Sequence, residues 1–360
     1  MDGDEITQGL LDSLKSIPKE TVSLNLAGTL SLEVLGRRID KFSKTMPFMQ
    51  ASAGTSVIWD DWIGEKISSD LTDFFRLTPA DKMLMLSNPT EHNLTFGFEP
   101  FSPNLAKPEM YENIIQRSMQ CLAGLMQMLG LARIPSANKS FDYHALTDIQ
   151  GCLASIEREE STNFSFPNPF NKEFGIDTGK GVASIRAWHA LYFSCVVRRI
   201  LGDCSGKNIL EIGGGSGRTG YFLQNLGARI TVLDLPYVSM QQAYFFGSSM
   251  SQEQLMLYGE ASDKAATTVE LLPVSESALR RIEDTEFDLV VQFDGITEYD
   301  QEVAKRYMEL ASRVSPAFFS INHEANSFTF NDLCRQIGVT PKTRLPSLYR
   351  KNYVEEYVVF

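Results

Sequence analysis

The segment Lys207 to Pro236, KNILEIGGGSGRTGYFLQNLGARITVLDLP, constrains the fold more than any other part of the chain. A short apolar run, Asn208 to Ile212, leads into Gly213, Gly214, Gly215 and Gly217, and helical periodicity resumes from Gly220 to Leu226. Glycines at such a corner let the backbone turn sharply after a strand and approach a ligand that a Cβ would exclude. A second apolar run, Arg229 to Leu233, ends at Asp234, 21 residues beyond Gly213. An acidic side chain placed there accepts hydrogen bonds from the ribose hydroxyls of a nucleotide cofactor. The glycines are spaced GxGxG, Arg218 stands where a dinucleotide pattern has its last glycine, and Glu211 lies two residues before the turn.

Around this corner the chain alternates between strand-like and helical patterns. Strands are predicted at Val269 to Val274, Phe287 to Phe293 and Ala317 to Asn322, and helices at Ser184 to Leu201, Val238 to Ser249 and Gln301 to Val314. Parallel strands need crossovers and helices usually supply them, so this order predicts an α/β fold with a doubly wound parallel sheet. We place that domain at residues 176–360. Residues 1–175 read as a mainly helical region, most clearly from Pro108 to Leu131. There Met110, Ile114, Ile115, Met119, Leu122, Met126 and Leu129 share one face, which suggests a core helix or a homodimer contact. Two Phe- and Pro-rich connectors, residues 89–108 and 161–181, carry Phe96, Phe98, Phe101, Phe164, Phe166 and Phe170, side chains suited to an acceptor pocket or to a strap over the core.

Composition narrows the function. With 33 Lys+Arg against 45 Asp+Glu, net charge −12, the chain is unsuited to general polyanion binding, so no nucleic-acid partner is expected. No basic-then-apolar leader and no run of about 18 apolar residues is visible, which predicts a cytoplasmic protein without a membrane partner. The five cysteines, scattered and without a CxxC pair, read as reduced buried thiols.

The turn with its preceding acid, E211-I-G-G-G-S-G217, resembles the first motif, E/DxGxGxG, of class I S-adenosylmethionine-dependent methyltransferases. The strings LEIGGGSGRTGYFL, VLDLPYVSMQQAYFF, FDLVVQFDGITEY, FFSINHEAN and YRKNYVEEY, over roughly residues 180–360, resemble a bacterial family of sugar O-methyltransferases. The chain departs from that family's SMPEM-like segment, having Gly295 to Tyr299 there. The resemblance implies a Rossmann-like sheet of seven strands with the last antiparallel, S-adenosyl-L-methionine as cofactor, and methyl transfer to a small-molecule acceptor, foremost a sugar hydroxyl in polysaccharide or natural-product biosynthesis. An amine or hydroxyl of a non-sugar metabolite is the alternative, and an inactive binding protein of the same fold a more remote one.

Ligands of parallel sheets bind beyond the C-terminal ends of the strands, near the reversal of strand order. The candidate cofactor residues are therefore Glu211, Gly213, Gly214, Gly215, Gly217, Asp234, Leu235, Ser275, Gln292 and Phe293. Displacement of a methyl from sulfonium needs an aligned acceptor lone pair, and an alcohol gains from a general base. His323 is the first candidate for that base, followed by Asp294 and Glu324; His92, His144 and His189 are weaker. Arg186 is a candidate for a carboxylate, whereas Arg344, Tyr349, Arg350 and Tyr353 receive no role. Asp294, Glu298 and Glu324 could offer oxygen ligands to Mg²⁺, but no catalytic metal is assigned.

Overall fold

The structure is a computed structural model that describes residues 14–16, 32–45, 67–94, 108–134, 146–261 and 266–360. The first half contributes β1 (Leu14–Ser16), α1 (Leu32–Thr45), α2 (Ser68–Arg76), α3 (Pro79–Ser87), α4 (Pro108–Met128), α5 (Ile149–Glu160), β2 (Phe174–Asp177) and β3 (Val182–Ala183). The second half contributes α6 (Ile185–Leu201), β4 (Asn208–Ile212), α7 (Arg218–Asn225), β5 (Arg229–Asp234), α8 (Pro236–Ser249), β6 (Leu255–Leu257) and β7 (Val269–Pro273). It continues with α9 (Glu276–Glu283), β8 (Leu289–Phe293), α10 (Gln301–Val314), β9 (Ala317–His323), α11 (Phe330–Gln336), β10 (Thr343–Pro346) and β11 (Tyr353–Val359).

The main sheet runs β10-β11-β9-β8-β4-β5-β7-β6. Every pair from β9 to β6 is parallel, and β11 lies antiparallel between β9 and β10, so the doubly wound sheet and its reversed last strand agree with expectation. The strand number does not: the sheet has 8 strands rather than seven. The addition is β6, whose three apolar residues are too short a run to show as a strand in sequence. It forms the outer edge, where Arg38 of α1 donates to the Leu255 carbonyl at 2.8 Å and pairs with Glu260 at 2.6 Å. This bond uses an edge carbonyl that would otherwise be open to another strand.

Alternation along each strand divides the core. Ile209, Val232, Leu271, Val291, Phe319 and Ile321 join the cluster beneath α6, α7, α8 and the N-terminal helices. Their neighbours Leu210, Leu233, Leu272, Val290 and Phe318 join the opposite cluster beneath α9, α10 and α11. Burial on both faces explains why these strands read as continuous apolar runs. All residues of α8 are buried, so its core contact extends well beyond the expected Val238, Ala243 and Phe246.

The Met-rich face of α4 is spent inside the chain. Ile114, Ile115, Met119, Leu122, Met126 and Leu129 are buried, and α4 packs on α6, which removes the motive for a dimer through this face. A 3-stranded antiparallel sheet, β1-β2-β3, is a second feature missed in the first half, since strands of two to four residues carry no periodic signal. Phe164, Phe166 and Phe170 are core residues packed on Phe222, Trp188, Tyr244 and Phe245, so of the two roles open to them they take the strap over the core. Phe96, Phe98, Phe101 and His144 lie outside the described residues.

Candidate active site

A cleft opens at the C-terminal ends of β4, β5 and β8, where the chain, having built outward through β5 and β7, returns to place β8 on the other side of β4. The glycine corner forms its floor. Gly213, Gly215 and Gly217 take φ of +73°, +54° and +82°, a region that L side chains avoid. Gly214 is needed for space instead, because a Cβ there would stand 2.6 Å from Val232 Cγ1. The corner is pinned by the Gly213 amide donating to the Leu233 carbonyl at 2.9 Å and the Gly217 amide donating to that of Gly214 at 3.0 Å.

Asp234 ends β5 as expected, and its buried carboxylate lines the cleft. Oδ2 accepts from the Gly215 amide at 3.0 Å and from Gln242 Nε2 at 2.8 Å, while Oδ1 accepts from the Leu235 amide at 2.7 Å. Glu211 is buried close by, with the Thr219 hydroxyl and the Gly220 amide as donors to its carboxylate. Burial and the neighbouring charge of Asp234 push the Glu211 carboxyl up to about 8, and burial likewise raises that of Asp234.

One face of α6 forms the opposite wall through Arg186, His189, Ala190 and Phe193, at the three- and four-residue steps that align side chains on a helix. Phe193 stacks on Phe293 with ring centres 4.4 Å apart, which orients the end of β8. Beyond it Asp294 takes φ +54° and donates its amide to the Ile321 carbonyl at 2.8 Å. The Asn322 carboxamide holds the next residue, accepting from the Gly295 amide at 2.9 Å and donating to Gln292 at 2.8 Å. Gln292 is thereby a buried support behind the cleft rather than part of its lining.

Two cations and a phenol gather around Asp294. Arg186 and Arg350 approach Oδ2 at 3.3 and 3.5 Å, and Tyr353 donates to Oδ1 at 2.6 Å. Arg350 also donates to the Tyr353 hydroxyl at 2.7 Å and lies over its ring. The pKa of Arg117 on α4 is lowered by burial and then by the charges of Arg350 and Arg186. His189, enclosed by Tyr349 and Phe193, is held well below the usual histidine range by burial, with the same three arginines adding to the effect, so its imidazole is neutral.

His323 ends β9 opposite Tyr353 in the sheet register. Asp294, Glu298 and His323 bring one polar atom each within 4.8 Å of one another, so the first two base candidates share one neighbourhood. His323 Nδ1 accepts from the Ala325 amide at 3.3 Å, which leaves the proton of the neutral ring on Nε2. Glu324 instead pairs with Arg344 at 2.6 Å on the exposed side and does not line the cleft. Ser275 caps α9 by accepting from the Ala278 amide, and Gly217 packs against Phe246; neither lines the cleft. Tyr192 donates to Glu355 at 2.6 Å, and His92 bonds to the Met85 carbonyl at 2.8 Å, which gives both a packing role.

Sequence reasoning named Arg350, Tyr353 and Tyr299 without giving them a role in the cleft, and missed Arg117 and Gln242. Only Gln242 had a local signal, two helical turns beyond Asp234 on a buried helix. The others reach the site through long-range packing that no spacing encodes.

No protein-family model and no curated protein matches the chain. Among solved structures it is similar to magnesium protoporphyrin IX methyltransferase from Synechocystis PCC 6803 bound to S-adenosylmethionine, at 13% identity over 49% of this chain and 81% of that one, TM-score 0.35. A SAM-dependent methyltransferase from Aquifex aeolicus is 12% identical over 47% and 90% of the two chains, TM-score 0.33. A cyclopropane-fatty-acyl-phospholipid synthase-like protein from Lactobacillus casei ATCC 334 is 11% identical over 48% and 92%, TM-score 0.33. Among the described residues, no helix is long and apolar enough to cross a membrane.

Proposed function

We propose that the protein is an S-adenosylmethionine-dependent methyltransferase acting on a small polar acceptor, foremost a sugar hydroxyl. The observation that carries this reading is the pairing of the GxGxG corner with buried Asp234 at one cleft, where strand order reverses. Asp234 and Leu235 lie where a ribose and adenine would be held, while Glu211 and the corner carbonyls are the acceptors for an α-ammonium. The cofactor supplies an electrophilic methyl on sulfonium. The absence of a pyrophosphate in it fits a corner that lacks the last dinucleotide glycine.

In this reading the protein mainly aligns the reactants and excludes water. Phe293 and Phe193 form an apolar wall, and Asp294, with His323 and Glu298 behind it, faces the acceptor. His323 acts as base only after releasing the Ala325 amide from Nδ1, because accepting at Nε2 requires the tautomer protonated at Nδ1. His189 lines the cleft, but burial and the nearby arginines disfavour its protonated form, which makes it a poorer base than His323 or Asp294. We read the helical region before residue 176, whose α4 packs on α6, as a cover for the acceptor.

Methyl transfer from labelled S-adenosylmethionine to a panel of monosaccharides, uronates, sugar phosphates and amino compounds tests the reading. Incorporation into a sugar, abolished in Asp234→Ala, is the expected result. Incorporation only into amino compounds replaces the sugar assignment, and cofactor binding without any transfer favours the binding-protein alternative.

A further inference from the structure

We propose that the Tyr299 hydroxyl is a further cofactor contact, a donor that holds the ribose together with Asp234; this rests on the ribose place that the methyltransferase reading gives Asp234. Tyr299 lines the cleft and ends the segment Gly295 to Tyr299, where the sequence departs from the family it resembles. A Cβ built on Gly213 would stand 2.7 Å from the Tyr299 hydroxyl oxygen and 4.0 Å from its Cζ, so the phenol aims its oxygen straight at the first glycine of the corner. That glycine is tied through its amide to the Leu233 carbonyl at 2.9 Å, one residue before Asp234.

The donors beside Asp234 are otherwise in use. The Gly213 amide serves Leu233, while the Gly215 and Leu235 amides and Gln242 Nε2 serve Asp234 itself. A carboxylate only accepts, so Asp234 takes up the protons of ribose hydroxyls but leaves their oxygen lone pairs unmet. The Tyr299 hydroxyl has no hydrogen-bond partner among the described residues and can donate to one of those oxygens. Burial and then the charge of Asp234 hold this phenol well above the usual tyrosine range, which keeps the donor proton in place. The turn that carries it is anchored before any ligand arrives. The Gly295 amide donates to Asn322 at 2.9 Å, Asn326 donates to the Thr297 hydroxyl at 3.0 Å, and Ile296 is fully buried. The Tyr299 ring packs on Tyr307 of α10 with centres 5.7 Å apart. A donor fixed in this way loses little freedom when it binds.

The test is calorimetric titration of the full chain and its Tyr299→Phe variant with S-adenosylhomocysteine and with methylthioadenosine, which keeps the ribose and lacks the amino-acid end. Tyr299→Phe is expected to weaken both ligands by a similar factor, about fivefold or more. Tyr307→Phe removes a neighbouring hydroxyl that does not line the cleft, and it leaves both affinities within about twofold. Far-ultraviolet circular dichroism confirms that both variants fold. Unchanged or tighter binding of both ligands by Tyr299→Phe overturns the proposal. A loss confined to S-adenosylhomocysteine also overturns it, by moving the hydroxyl to the amino-acid end of the ligand. An equal loss in Tyr307→Phe overturns it as well, because the effect is then one of packing. Binding of methylthioadenosine but not S-adenosylhomocysteine, weakened in Tyr299→Phe, would leave the ribose contact standing and sink the methyltransferase reading. Binding of neither ligand would sink both.

Discussion

The Tyr353 hydroxyl donates to Asp294 Oδ1 at 2.6 Å, joining the antiparallel last strand to the loop after β8, 59 residues earlier in the chain. The bond places Arg350, which Tyr353 also holds, at the other oxygen of the same carboxylate. The reversed strand is thus more than part of the sheet, since Tyr353 at its start holds the Asp294 side of the cleft.

Tyr353→Phe keeps the ring but deletes this donor. A hydrogen bond to a charged group contributes about 1.5–3 kcal/mol, and partial exposure brings the expected loss to about 1–2 kcal/mol in urea unfolding. Unchanged stability would mean that water replaces the phenol at Asp294 without cost.

Asp234→Ala removes the acceptor of the Gly215, Leu235 and Gln242 donors as well as any ribose contact. S-adenosylhomocysteine affinity is expected to fall by about 1.5–3 kcal/mol, the scale of lost charge-assisted hydrogen bonds. A folded variant with undiminished affinity would take Asp234 out of the binding site.

Gly214→Ala tests the floor of the cleft separately from its chemistry. The added methyl meets Val232 Cγ1 at 2.6 Å, and overpacking of this kind costs about 1–3 kcal/mol. Val232→Ala in the same chain opens the space, so the double variant should be more stable than additivity of the two single losses allows. Strict additivity in thermal or urea unfolding would show that the corner shifts freely.

Glu211 makes stability depend on pH. Ionising near 4.5 when unfolded and near 8 when folded, it takes up a proton on folding between those values. Stability is therefore fullest below about pH 5 as far as this group is concerned, and it declines toward pH 8, by at most about 1.4 kcal/mol per pH unit. Glu211→Gln should make that decline shallower in urea melts at successive pH values, leaving the contribution of Asp234, whose carboxyl is raised to about 7. An equally steep decline in the variant would place the carboxylate in water.

Much of this was legible in sequence because both signals are local. The corner needs positive φ at Gly213, Gly215 and Gly217, and only glycine meets that need cheaply, so backbone geometry is written directly into residue type. The central strands are buried on both faces and read as apolar runs with boundaries near those observed. Local pattern failed where burial is set by distant parts. Phe164, Phe166 and Phe170 look the same in sequence whether they pack on Phe222 and Tyr244 or line a pocket. The strand β6 is three residues long, and Glu324 and His323 are neighbours whose side chains the end of β9 sends to opposite sides, one to Arg344 and one toward Asp294.

Calorimetric titration of the purified protein with S-adenosylhomocysteine, with NAD as the comparison, tests the central claim most directly. Saturable micromolar binding of S-adenosylhomocysteine, and none of NAD at the same concentrations, is the expected result. Binding of NAD alone, or of neither ligand, would contradict the assignment of the glycine corner and Asp234 to a methyl donor.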